Sequence, residues 1–157
     1  MTILVPFDGS PHAALALARA ADVAETYGAD LLAVTVIHPG VEAPVELGWL
    51  DPGGTYDPDR VRENLEAAVA EIAPAAAYHV IRSETGLPHG AIAKHLRRFA
   101  RGRDAELVFV GSESAGRIVT RLSSVGGGVS TEMSYDVYLV RRPSSSLFDD
   151  RDVAVDG

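Results

Sequence analysis

The sequence predicts an α/β domain built on a parallel sheet, and three observations carry that expectation. Five short apolar runs rich in β-branched residues recur along the chain, and segments with apolar residues at helical spacing separate them. Strands alternating with helices imply right-handed crossovers and parallel pairing. The second run, residues 31–37, is continuously apolar rather than alternating, as in a sheet covered on both faces. At 157 residues with 46% hydrophobic side chains, the chain is long enough for one such domain.

The elements follow in order. Residues 2–6 read as the first strand. Ser10 suits a helix N-cap and Pro11 the first turn. The Ala- and Leu-rich stretch 12–27 is then helical, with Leu15, Ala18, Ala21 and Val23 lining one face and Gly28 capping the end. Strand two is 31–37. Residues 38–58, with four prolines, four glycines, Trp49 and Tyr56, form a long loop, a length that usually signals function or mobility. Asp57 or Asp59 can cap a helix to about Ala73, with Val61, Leu65, Ala68 and Ile72 inward. Residues 78–82 form strand three. Gly86-Leu87-Pro88 opens a helix over 89–100 with Ile92, Leu96 and Phe99 inward. Strand four is 106–110, ending at Gly111-Ser112; a helix is expected over 124–134, strand five over 136–141, and a mobile acidic tail over 143–157.

Composition narrows the function classes. No run of about 18 apolar residues is long enough to span a membrane, and the N-terminal stretch lacks the pattern of a signal peptide. With no cysteine there is no disulfide, thiolate metal site or cysteine nucleophile. These features suggest the cytoplasm. A net charge of −8 repels nucleic-acid phosphates unless the basic groups cluster. Thirteen of the 14 basic residues are arginine and one is Lys94. That balance suits a high-salt habitat and equally suits a GC-rich genome.

In parallel sheets of this kind, ligands bind beyond the C-terminal strand ends where strand order reverses. The polar, glycine-containing turns follow strands one and four, at Asp8-Gly9-Ser10 and Gly111-Ser112. Placing those strands side by side at the reversal would bring both turns onto one crevice. The pieces, in their order, resemble the universal stress protein family over residues 1–142. The resemblance is carried by Ile3-Leu4-Val5-Pro6-Phe7-Asp8-Gly9-Ser10, by Gly86-Leu87-Pro88, by the segment from Asp104 to Ser112, and by Asp136-Val137-Tyr138-Leu139-Val140.

The resemblance implies a five-stranded sheet of order 3-2-1-4-5 with helices on both faces, of the adenine nucleotide alpha-hydrolase-like kind. It also implies a homodimer formed through the fifth strand and a role in stress survival. One branch of the family binds ATP through Gly-x2-Gly-x9-Gly followed by Ser or Thr after strand four. In that pattern glycines admit the phosphates, while amides and a hydroxyl bind the anion. Here Gly111 matches the first glycine, Ser114 stands where the second belongs, Gly116 follows two residues later, and Ser123-Ser124-Val125 fall on the final Gly-Ser-Val with one residue deleted. Asp8 matches the acidic residue near ribose and adenine, Val36 the position whose backbone meets the base, and Pro6 lies in the opening motif. ATP or another adenine nucleotide, with magnesium if it binds, is therefore the expected ligand. The serine pair equally resembles the branch that does not bind ATP, which would be a protein-interaction module of the same fold.

Plainer roles stand beside these. Asp8 suits a turn before a helix; Ser123 and Ser124 suit N-caps. Gly126-Gly127-Gly128 fit close packing or a late helix start, and Arg117 and Arg121 fit solvated surface. His89 and His95, six apart, do not share a helix face, so no metal site is expected. No G-x-S-x-G, Walker lysine loop or G-x-G-x-x-G appears, so no enzyme activity is expected. The apolar fifth strand at a sheet edge invites pairing with a second chain.

Overall fold

The computed structural model describes residues 1–37, 57–82, 91–111 and 135–141. They form β1 (Thr2–Pro6), α1 (Pro11–Tyr27), β2 (Asp30–Ile37), α2 (Pro58–Ile72), β3 (Ala77–Arg82), α3 (Ala91–Gly102), β4 (Leu107–Gly111) and β5 (Asp136–Val140). The five strands make one sheet of order β3-β2-β1-β4-β5, and every pair is parallel. The expected order 3-2-1-4-5 is therefore the observed one, and β3 and β5 are its edges. The expected helix over 124–134, the tail over 143–157, Gly86-Leu87-Pro88, Trp49 and Tyr56 lie outside the described residues.

Strand alternation divides the core in two. Ile3, Val5, Phe7, Ala33 and Phe109 meet α1 and α2 on one face. Leu4, Val34, Val36, Val108 and Val110 meet Leu96 and Ala100 of α3 on the other. Both faces of β1, β2 and β4 are covered, which is why those strands read as unbroken apolar runs. In α1 the buried residues are Ala13, Ala16, Leu17, Ala20 and Ala24. The expected face of Leu15, Ala18, Ala21 and Val23 is instead half-buried, because the alanine stripe lets the helix backbone lie close on the sheet. In α2, Val61 and Leu65 are buried as expected, but Val69 and Ala73 take the inner places expected of Ala68 and Ile72. In α3, Leu96 and Ala100 are buried and Phe99 is half-buried. Strand four ends one residue later than expected, since Gly111 pairs with Val140 inside the sheet.

Candidate functional site

The chain leaves β1 through a tightly specified turn. Paired register between β1 and β2 ends at Pro6↔Val34. The next amide, Phe7 N–H, still donates to the Val34 carbonyl at 2.7 Å, while the Phe7 carbonyl accepts a 2.6 Å hydrogen bond from the Thr35 hydroxyl. Asp8 then closes a local turn, its Oδ1 accepting from Ser10 N–H at 2.9 Å, with Gly9 at φ 83° where a side chain would be strained. Ser10 caps α1 by accepting from Ala13 N–H at 3.2 Å, and Pro11 occupies the first turn as the sequence suggests. The helix ends at Gly28 in the left-handed region.

Three of the four described candidate residues reach the same rim. Val36 lies two residues past Val34, and Asp8 two past its partner Pro6, so they sit level at the C-terminal edge of the sheet. On the other side β4 pairs with β1 at Leu4↔Val108; Phe7 and Gly111 each lie three residues further on. The Asp8 turn and the end of β4 thus meet where strand order reverses, between β1 and β4. Pro6 lies one step below the rim, on the α3 face beside Leu4, Leu96 and Val108. Gly116, Ser123, Ser124 and Val125 lie outside the described residues, as do Gly126-Gly127-Gly128, Arg117 and Arg121.

Gly111 is required by packing. A Cβ there would lie 2.6 Å from the backbone carbon and oxygen of His12 and 2.8 Å from its Cβ. The first turn of α1 is therefore seated directly on the end of β4. Asp8 likewise has a demonstrated structural duty in its turn.

Thr35 and Tyr78 were not among the sequence candidates. Thr35 is buried, 1% exposed, and is the one polar side chain so buried among the described residues. It accepts a 2.8 Å hydrogen bond from the Tyr78 hydroxyl of β3 while donating to Phe7. The chain Tyr78–Thr35–Phe7 crosses three strands and ends on the peptide preceding Asp8. Burial pushes the Tyr78 phenol above its usual pKa, opposed by its bond to Thr35 and reinforced by Glu66, so the donor stays protonated at neutral pH. Thr35 was visible as the lone polar residue of an otherwise apolar strand, a signal for a buried hydroxyl with a fixed partner.

The universal stress protein family model matches residues 1–141. The chain belongs to the universal stress protein family. Among solved structures, one titled as a universal stress protein in complex with cAMP is 21% identical, with a TM-score of 0.56 over 90% of this chain and 97% of its own. A protein of the universal stress protein family from Burkholderia pseudomallei is 25% identical, with a TM-score of 0.55 over 90% of this chain and 96% of its own. The universal stress protein from Archaeoglobus fulgidus in complex with dAMP is 20% identical, with a TM-score of 0.50 over 90% of this chain and 98% of its own. No curated protein matches the chain. In this universal stress protein no described helix is long and apolar enough to cross a membrane.

Proposed function

We propose that this universal stress protein is a cytoplasmic, dimeric stress-response protein that binds an adenine nucleotide at the rim between β1 and β4, acting by binding and not by catalysis. The observation that carries this reading is the level meeting of the Asp8 turn, Val36 and the Gly111 end of β4 at the reversal of strand order. The cAMP and dAMP complexes of two relatives with the same fold support an adenine ligand. The donor set suits it: the Asp8 carboxylate for ribose hydroxyls or the adenine edge, and the backbone at Val36 for the base. The glycine- and serine-containing segment after Gly111 would hold the phosphates, with magnesium accompanying a triphosphate.

Dimerisation through β5 is part of the same proposal. β5 is a sheet edge, and Tyr138 in its middle is 41% exposed.

Thermal unfolding with and without ATP and magnesium tests the ligand. Saturation at about 100 times Kd stabilises the native state by about 2.7 kcal/mol, or about 5–10 °C for a chain of this size. Asp8→Ala should remove that shift. Mass spectrometry of denatured protein, purified without added ligand, should find a co-purified adenine nucleotide. No shift at millimolar nucleotide together with a clean blank would leave the second reading, a protein-interaction module. Ser114 and Ser123, standing where the ATP-binding pattern has glycines, favour that reading.

A further inference from the structure

A buried hydroxyl needs partners, and those partners fix its direction. Thr35 is buried in a strand that is otherwise apolar from Leu31 to Ile37. Valine has the same shape, so packing alone does not ask for an oxygen there. The Phe7 carbonyl can only accept, so the single Thr35 hydroxyl proton lies on the 2.6 Å bond to it. Thr35 Oγ1 is then left to accept, and the Tyr78 hydroxyl donates to it at 2.8 Å. The direction from Tyr78 through Thr35 to Phe7 is therefore set by chemistry, with no second arrangement of the two protons.

That row of bonds ends where the sheet gives up its hold on β1. Pairing with β2 runs from Thr2↔Asp30 to Pro6↔Val34, and pairing with β4 lies further back, at Ile3↔Leu107 and Leu4↔Val108. Beyond Pro6 the Phe7 amide still reaches the Val34 carbonyl, and the Phe7 carbonyl is held by a side chain from inside the sheet. The peptide joining Phe7 to Asp8 is planar, so holding its oxygen sets the position of the Asp8 Cα as well. Two residues past Asp8, Ser10 already caps α1. The Asp8 turn is thus tied at both ends, to α1 by Ser10 and to β2 by Thr35. Tyr78 acts on it from β3, two strand spacings or about 10 Å from β1.

We propose that Thr35 and Tyr78 are positioning residues for the nucleotide: the row Tyr78–Thr35–Phe7 holds the Asp8 peptide so that its carboxylate is presented to the ribose or the adenine. This inference rests on the nucleotide reading above and adds two residues that act through Asp8. The gain is preorganisation. A carboxylate already held in its binding orientation has less freedom to lose when the ligand arrives. Losing the Thr35 hydroxyl therefore weakens binding, and does so only while Asp8 carries its charge.

The test is calorimetric titration of the full chain with ATP and magnesium, well below the melting transition of every variant. Thr35→Val is expected to weaken binding about fivefold or more, and Tyr78→Phe about two- to fivefold. Thr35→Ser, which keeps the hydroxyl, should bind within about twofold of the parent. Val69→Ala, a truncation in the buried face of α2, should also bind within about twofold although it lowers the melting temperature. In an Asp8→Asn background Thr35→Val should add less than about twofold, because the group it positions has lost its charge. Far-ultraviolet circular dichroism and thermal midpoints establish that each variant folds. Binding by Thr35→Val as tight as by the parent, no rescue by Thr35→Ser, equal weakening by Val69→Ala, or the full further loss in the Asp8→Asn background would overturn this inference and leave the nucleotide reading standing. No binding by the parent would overturn the nucleotide reading and this inference with it.

Discussion

Thr35→Val is the sharpest test of how this fold holds its rim. Valine has the shape of threonine without the hydroxyl, so packing of the buried position is preserved and only the hydrogen bonds are lost. Two groups lose their partner: the Phe7 carbonyl, now bonded at 2.6 Å, and the Tyr78 hydroxyl at 2.8 Å. An unsatisfied buried polar group costs about 1–3 kcal/mol. The half-buried Tyr78 can turn to water, and the added methyl returns part of the loss through burial, up to about 0.8 kcal/mol. The expected net loss is about 1–2 kcal/mol, or about 2–8 °C in melting temperature. Tyr78→Phe leaves the Thr35–Phe7 bond intact and should cost about 0.5–1.5 kcal/mol. In the double variant the losses should fall short of additive by about 0.5 kcal/mol or more, because Tyr78 has nothing to donate to once Thr35 is valine. Urea titration gives the energies. Amide exchange at Gly9 and Ser10, faster in Thr35→Val, locates the effect at the Asp8 turn. A variant as stable as the parent, with unchanged exchange at those amides and strict additivity, would show that the chain Tyr78–Thr35–Phe7 holds nothing.

Other outcomes follow from the same coordinates. Gly111→Ala should destabilise by about 1–3 kcal/mol or more by chemical denaturation, since the added methyl meets His12 backbone that cannot swing aside. His79, whose ring lies tilted against Phe99 at 4.6 Å between centroids, has its pKa held below 6.5 by burial first and the nearby Arg103 second. Its neutral-state contribution is present above pH 6.5 and is lost as pH falls through the depressed value, so His79→Gln should flatten the acid-side loss of stability in a pH series of melting curves. Tyr78 gives the alkaline counterpart: with a raised pKa its contribution is complete below pH 10 and lost as pH climbs through that raised value, a slope Tyr78→Phe should remove. Tyr138, whose ring stacks on Phe109 at 4.6 Å and whose hydroxyl accepts from Arg19 at 3.2 Å, lies on the proposed dimer edge. Tyr138→Glu should shift sedimentation toward monomer.

Much of this architecture was legible because local chemistry and tertiary fold agree. Ser10, Pro11 and Gly28 mark the ends of α1 by backbone requirements that do not depend on context, and the continuous apolar runs of β1, β2 and β4 announce burial on both faces. Which face of α1 turns inward was not legible. Alanine and leucine populate both sides of that helix, and close approach to the sheet selects the smaller stripe. The rim was half legible. Asp8 and Gly111 stand out as turn and glycine, but nothing local tells that Gly111 is still paired in β4 or that it presses on His12, for the first depends on Val140 of β5 and the second on a helix start about a hundred residues away. Thr35 was overlooked for a related reason: its partners, Phe7 and Tyr78, come from two other strands.

The structural duties of Asp8 and Gly111 change what their match to the family pattern means. Residues alternate across β4, so Phe109 and Gly111 face α1 while Val108 and Val110 face α3. The missing Cβ of Gly111 therefore makes room for the first turn of α1 and not for a phosphate. Asp8 would be favoured before a capped helix whether or not a ribose lies nearby, since its Oδ1 closes the turn onto Ser10. In this chain, therefore, the identity of neither residue tells whether a nucleotide binds, since each already has a duty in the fold. What decides it is whether the Asp8 charge and the donors that the sequence supplies after Gly111 meet a ligand. Asp8→Asn is accordingly more telling than Asp8→Ala, because an amide oxygen preserves the turn while removing the charge. If nucleotide binding falls and the melting temperature of the free protein does not, the carboxylate serves a ligand; if both are unchanged, the Asp8 charge serves neither ligand nor turn.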